Sequence, residues 1–165
     1  MLEMHLSAVR LEVPSNNPLL LLREVAGSQR TLPIYIGPAE AQAIAFAQQG
    51  VATPRPMTHD LIKDLLDEAG VSVERIVITE LRERTFYAEI GLVVAGQRHT
   101  VSARPSDAVA LAVRVGCPIF AEDELLDSEG VILPDDDDEE GENDADELVS
   151  EFRDFIEGIR PEDFG

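Results

Sequence analysis

The 165-residue chain has one cysteine, no tryptophan, two tyrosines and only 13 Lys+Arg against 33 Asp+Glu, a formal net charge of -20. Each scarcity excludes something. Cys117 alone cannot close an internal disulfide or build a thiolate zinc site, so disulfide scaffolds and zinc ribbons are excluded and a reducing compartment is expected. No uncharged apolar run approaches the roughly 20 residues that cross a bilayer, which excludes a helical span and a membrane partner. The opening MLEMHLSAVRLEV carries Glu3 and alternates at once, unlike a charged segment followed by an apolar one, so the expected location is cytoplasmic. Few bases and few aromatic rings also argue against a dense basic patch or a stacking stripe for tight, non-specific binding to polynucleotide.

What is present is unevenly distributed. Residues 1–121 hold 13 acids and 11 Lys+Arg, whereas residues 122–165 hold 20 acids and only Arg153 and Arg160. The stretch 135–146, DDDDEEGENDAD, has nothing to bury and reads as an acidic disordered linker. Beyond it Leu148, Val149, Phe152, Phe155, Ile156 and Ile159 recur at helical spacing, the pattern of an amphipathic C-terminal helix. The expected organisation is a domain over 1–133, a linker over 134–146 and a helix within 147–165. Unpaired strand edges and the extra apolar stripe point to a homo-oligomer, a dimer in the simplest case.

Within the domain, 4–13, 19–25 and 31–36 read as strands. Gly37-Pro38 opens an alanine-rich helix that runs to Gly50, and Pro54 and Pro56 force a loop. Thr58 is placed to cap a helix over 58–69 whose Leu61, Ile62, Leu65 and Leu66 are expected to face the core, with His59, Asp60, Lys63 and Asp64 outside. Strands over 71–81, 85–94 and 97–103 form a meander; Ser106 is placed to cap a helix over 107–115, and a short strand and helix over 118–126 follow. Strand runs separated by helices, without strict alternation, predict an α+β fold with a mixed or largely antiparallel sheet and packed helices.

No motif of high intrinsic specificity occurs: there is no phosphate-binding glycine loop, HExxH, GxSxG or EF-hand. Polar residues do gather at element ends. A proline-stiffened loop delivers Arg55, Thr58, His59 and Asp60 to a helix N-terminus, which attracts anions. Arg104, Ser106 and Asp107 repeat the arrangement, Arg104 offering a planar fork for phosphate or carboxylate. Glu40 lies in a third first turn. The plainer account stays open at each place: Thr58 and Ser106 cap, the acids favour the helix dipole, and Arg104 pairs with Asp107 for structure. His5 and His99 read as strand-surface residues, Glu80 and Glu89 as solvated strand acids, and Cys117 as an inert buried thiol.

The blocks LPIYIGPAEAQAIA, RPMTHDLIKDLL, VERIVITELRERTFYAEI and ARPSDAVALAVRVGCPIFAEDELLDSEGV, in this order, resemble the bifunctional nuclease family. The resemblance covers about Met4 to Val131 and extends to EFRDFIEGIRPEDF near the C-terminus. It implies a nuclease acting on RNA and DNA. Phosphodiester hydrolysis needs an activated water, stabilisation of a phosphorane and a proton for the leaving oxygen. On that footing Glu40, Asp60 and Asp107 are candidate ligands for Mg or Mn, His59 is a candidate acid or base, and Arg104 is a candidate phosphate clamp beside Arg55, Thr58 and Ser106. A catalytic set of His59, Asp60, Arg104 and Asp107 follows. The alternative is a non-enzymatic, oligomeric regulatory module that binds a small anion at the same helix termini.

Overall fold

The computed structural model describes residues 1–133; the linker and the C-terminal helix expected from the sequence lie outside the described residues. The chain forms β1 (Leu2–Glu12), β2 (Asn17–Glu24), β3 (Thr31–Tyr35), α1 (Pro38–Gln48), α2 (Thr58–Glu68), β4 (Val71–Arg82), β5 (Thr85–Val94), β6 (Gln97–Ala103), α3 (Pro105–Val115), β7 (Ile119–Ala121) and α4 (Asp123–Glu129). The seven strands make one mixed sheet in the order β3-β2-β1-β7-β4-β5-β6, so the fold is α+β.

The sheet consists of two antiparallel meanders joined by β7. Three residues of β7 pair with both: Met4 opposes Ile119 in antiparallel register on one side, and Ile76 aligns with Ile119 in parallel on the other. The sequence shows a short terminal strand, but not that it would be central. Its side chains fit that position, since Ile119 and Ala121 are buried.

Helix α3 packs on β4 and β5 and touches α1 and α2 as neighbours. Its side chains explain this burial: Ala108, Val109, Ala110, Leu111 and Ala112 are all buried, and the small residues let the backbones come close. Helix α1 contributes Ala41, Ile44, Ala45 and Phe46. Leu20, Leu22, Leu32, Ile34, Ile76 and Ile78 complete the core from the strands. Each such side chain, fully buried, contributes about 1.5–3 kcal/mol.

Helix α2 differs from its sequence pattern. Leu61, Ile62 and Leu65 are exposed, whereas His59 is the buried residue of the helix. The inward face runs through His59, Lys63 and Leu66 at spacings of four and three, with Lys63 and Leu66 half-buried. The helix starts are also displaced from the expected caps. Met57, not Thr58, is the N-cap of α2, and Arg104, not Ser106, is the N-cap of α3, which leaves Ser106 inside the first turn and buried. Gly116, with φ 74, ends α3 in the left-handed conformation that glycine takes without steric cost.

Candidate functional site

Three helix starts converge at the site. Pro38, Thr58 and Pro105 are the first residues of α1, α2 and α3, and Glu40, Asp60 and Asp107 stand in their first turns. The N-cap residues of α1 and α3 make no side-chain cap hydrogen bond, whereas the start of α2 is closed by a capping box between Met57 and Asp60. First-turn N–H groups and aligned peptide dipoles therefore leave partial positive charge there, which favours the acids and any anion that approaches.

The acids are held in a defined network. Asp107 Oδ1 lies 2.9 Å from His59 Nε2, and its Oδ2 accepts from Arg104 Nε at 2.8 Å. Arg104 Nη2 donates to Glu40 Oε1 at 2.7 Å, so one guanidinium bridges α1 and α3. A Cβ at Gly37 would collide with the Glu40 carboxylate, and glycine is what permits that carboxylate to fold back over the helix start. On the other side of α2, Asp60 accepts from Met57 N–H at 3.0 Å and from Arg114 Nε at 2.7 Å.

Arg114 is the residue that the sequence did not single out. Its side chain is only 7% exposed, and besides Asp60 it donates to the carbonyls of Ala110 and Ala43. A single arginine thereby ties α3 to α1 and α2. The only signal in the sequence is an arginine interrupting the apolar run of a helix; nothing in the spacing pairs it with Asp60.

Electrostatics follow the contacts. Burial pushes the Asp107 carboxyl up, but the hydrogen bonds and charges of Arg104 and His59 outweigh it and hold the group below its usual value. Asp60 behaves alike: burial raises it, and Arg114, the Met57 amide and the charge of His59 bring it down. The hydrogen bonds to Asp107 and Glu40 raise the Arg104 guanidinium. Three carboxylates thus face two arginines. His59 has a side chain 8% exposed and lines a cleft of about 290 Å³ together with Glu40, Thr58, Arg104, Asp107 and Arg114.

The structure therefore gathers Glu40, Thr58, His59, Asp60, Arg104 and Asp107 at one end of the helical layer. Arg55 sits in the preceding loop, exposed, with its carbonyl accepting from Thr53. Ser106 lies beside the cluster and faces a neighbouring hollow. His5 and His99 are exposed strand residues, and burial pushes the Cys117 thiol up, as for an inert cysteine. Among the described residues no group of three or more His, Cys, Asp or Glu is placed to hold a metal ion. The guanidinium of Arg104 occupies the space between Glu40 and Asp107 that a cation would need.

A sequence profile of the bifunctional nuclease domain matches residues 20–134, which contain every residue of this cluster. The chain belongs to the bifunctional nuclease domain family. The match begins after β1, although that strand lies near the middle of the sheet. An uncharacterized protein of Mycobacterium tuberculosis is 46% identical over 163 residues, 98% of this chain and 97% of its own. Bifunctional nuclease 2 of Oryza sativa subsp. japonica is 31% identical over 118 residues, 69% of this chain but 36% of the rice protein. Bifunctional nuclease 2 of Arabidopsis thaliana is 28% identical over 115 residues, covering 68% of this chain and 35% of the plant protein. This bifunctional nuclease domain therefore corresponds to about a third of each plant protein. Among the described residues no helix is long and apolar enough to cross a membrane.

Proposed function

We propose that this chain is a nuclease that hydrolyses phosphodiester bonds in RNA and DNA. The observation that carries this reading is the connected set Glu40–Arg104–Asp107–His59 at the floor of a cleft walled by helix starts. Asp107 engages His59 at Nε2 and fixes the ring. Nδ1 is then the nitrogen that moves a proton, from the attacking water or to the leaving oxygen. Arg104 uses Nε and Nη2 on carboxylates, so Nη1 remains to meet a phosphate oxygen as charge builds on the phosphorane. Thr58 lines the cleft, and Arg55, exposed in the loop before it, is proposed to meet the passing polynucleotide backbone. Asp60 positions the first turn of α2, and with it His59, through Arg114.

Mg or Mn enters this proposal only as an arm of the test. As placed, Glu40, Asp60 and Asp107 are each held by an arginine and do not fit a metal ion, so no step is routed through one. The nuclease is proposed to act as a homo-oligomer, a dimer in the simplest case, because β6 is an open sheet edge; light scattering at micromolar concentration should report more than one chain. A second reading, a non-enzymatic module that binds a small anion, is favoured by the uncapped starts of α1 and α3.

One experiment separates the readings. Purified protein is incubated with single-stranded RNA and DNA in Mg, in Mn and in chelator, beside Arg104→Ala and His59→Asn. Hydrolysis that both substitutions abolish supports the nuclease. Inactivity under every condition, with anion binding that Arg104→Ala weakens, supports the binding module.

A further inference from the structure

Arg104 and Ser106 also line a second hollow, of about 400 Å³, whose walls include Asn17, Tyr35, Gly37 and Arg84. None of Asn17, Tyr35 or Arg84 stands out in the sequence. Ser106 is 5% exposed, and its hydroxyl has no hydrogen-bond partner among the described residues. The residue is buried, yet its hydroxyl is not sealed off, so at the wall of a polar hollow it is open to a partner that arrives from outside. The starts of α1 and α3 meet at this hollow through Gly37 and Pro105, and neither N-cap side chain satisfies the first-turn amides.

Charge and shape agree with an anion. Arg84 makes no ion pair among the described residues. It sits in the β4–β5 turn, where Glu83 and Arg84 take φ 50 and 62, a conformation that Asn-Gly would adopt more cheaply. The turn carries a free guanidinium at the rim instead. Tyr35 is 61% exposed, and its hydroxyl donates to Glu12 Oε1 at 2.7 Å, which fixes the ring while leaving a face open. Glu40 folds over Gly37 and holds Arg104, so Arg84 rather than Arg104 supplies the uncommitted positive charge.

We propose that this hollow is a phosphate subsite of the substrate strand, with the Ser106 hydroxyl and the Arg84 guanidinium on the phosphate and the Tyr35 ring under the adjoining base. The polynucleotide part rests on the nuclease reading; the phosphate site does not. The ligand chemistry is a phosphate oxyanion, either a terminal phosphate or an internal diester.

The test titrates the full chain with inorganic phosphate, a 5′-phosphorylated dinucleotide and its 5′-hydroxyl counterpart. Binding is read by calorimetry and by tyrosine fluorescence, to which Tyr35 is one of two contributors in a chain without tryptophan. Ser106→Ala and Arg84→Ala should each weaken phosphate binding about tenfold or more, as loss of a hydrogen bond to a charged group does. Arg98→Ala, on β6 and paired with Glu74, should change nothing. Ser106→Ala should not lower the melting temperature, because that hydroxyl bonds to no residue among those described. A preference for the 5′-phosphorylated dinucleotide assigns the site to a terminal phosphate, and equal binding of both dinucleotides to the internal diester; either supports the subsite. Unchanged affinity in both variants, or no binding of any of the three probes, overturns it. Phosphate binding lost in the variants of a protein that cleaves nothing would sink the nuclease reading alone. Hydrolysis with KM unmoved by Ser106→Ala and Arg84→Ala would sink the subsite alone.

Discussion

Arg114→Met should loosen α2 and silence the site together. Helix α2 buries little apolar surface of its own: Leu61, Ile62 and Leu65 face solvent. Two polar contacts hold its first turn against α3, His59 on Asp107 at 2.9 Å and Asp60 on Arg114 at 2.7 Å. Methionine keeps most of the buried stem of Arg114 and removes its charged donors. The carbonyls of Ala43 and Ala110 lose their bonds from Arg114 but remain helix acceptors, so the main loss lies at Asp60. That carboxylate is 37% exposed and can rehydrate, which places the cost below the figure for stranding a fully buried charge. Roughly 2–4 kcal/mol follows, and for a chain of this size a fall in Tm of about 5–12 °C. Urea unfolding followed by circular dichroism measures it, with Asp60→Asn and the double variant completing a cycle. The coupling should be about 1–3 kcal/mol. A loss below about 0.5 kcal/mol, or a coupling near zero, would refute the view that this pair anchors the helix.

Further outcomes follow from the same geometry. Asp107→Asn should lower kcat on RNA about 10²–10⁴-fold, since the ring of His59 loses its anionic partner, and the loss should exceed any change in KM. Glu24, Asp60 and Asp107 all have lowered folded values relative to 4.5, 3.8 and 3.8. A depressed folded value means that the unfolded chain binds the proton first. Their contribution to stability should be complete above about pH 4.5 and should fall as the pH drops through the lowered values, which acid titration by circular dichroism reads; a flat profile down to pH 2 would contradict it. Gly37→Ala should leave the fold intact yet displace the Glu40 carboxylate, because the colliding atoms are the end of a flexible side chain. Its expected signature is reduced turnover with Tm within about 2 °C of the parent, since surface ion pairs contribute little.

Much of the fold was legible because strand alternation and glycine and proline punctuation are local. The two meanders, α1, α3 and its Gly116 terminus follow directly from those patterns. The α2 face was not legible. Its apolar residues announce an inward side, but the histidine-aspartate and aspartate-arginine contacts that orient it involve partners 48 and 54 residues away. The same holds for the caps: Thr58 and Ser106 have the right chemistry, yet Pro105 at the first helical position moves the start of α3 one residue upstream of Ser106. Glu40, His59, Asp60, Arg104 and Asp107 were legible as polar residues at element ends. Their mutual contacts were not, and Arg114 and Arg84 were hidden because a lone arginine carries no pattern.

The three-residue strand β7 makes this sheet a structure that the ribosome must nearly finish before it can close. Its partners Leu2 to Met4 lie in the first strand of the domain, and Ile119 to Ala121 form the last. Until they meet, the N-terminal meander has an open edge at β1 and the second meander has one at β4. Each half is then a candidate for pairing with a stray strand, and the closing contact spans more than a hundred residues of sequence. Folding should therefore be slow for the size of the domain, with translation pauses before Pro118 the point of greatest exposure to aggregation.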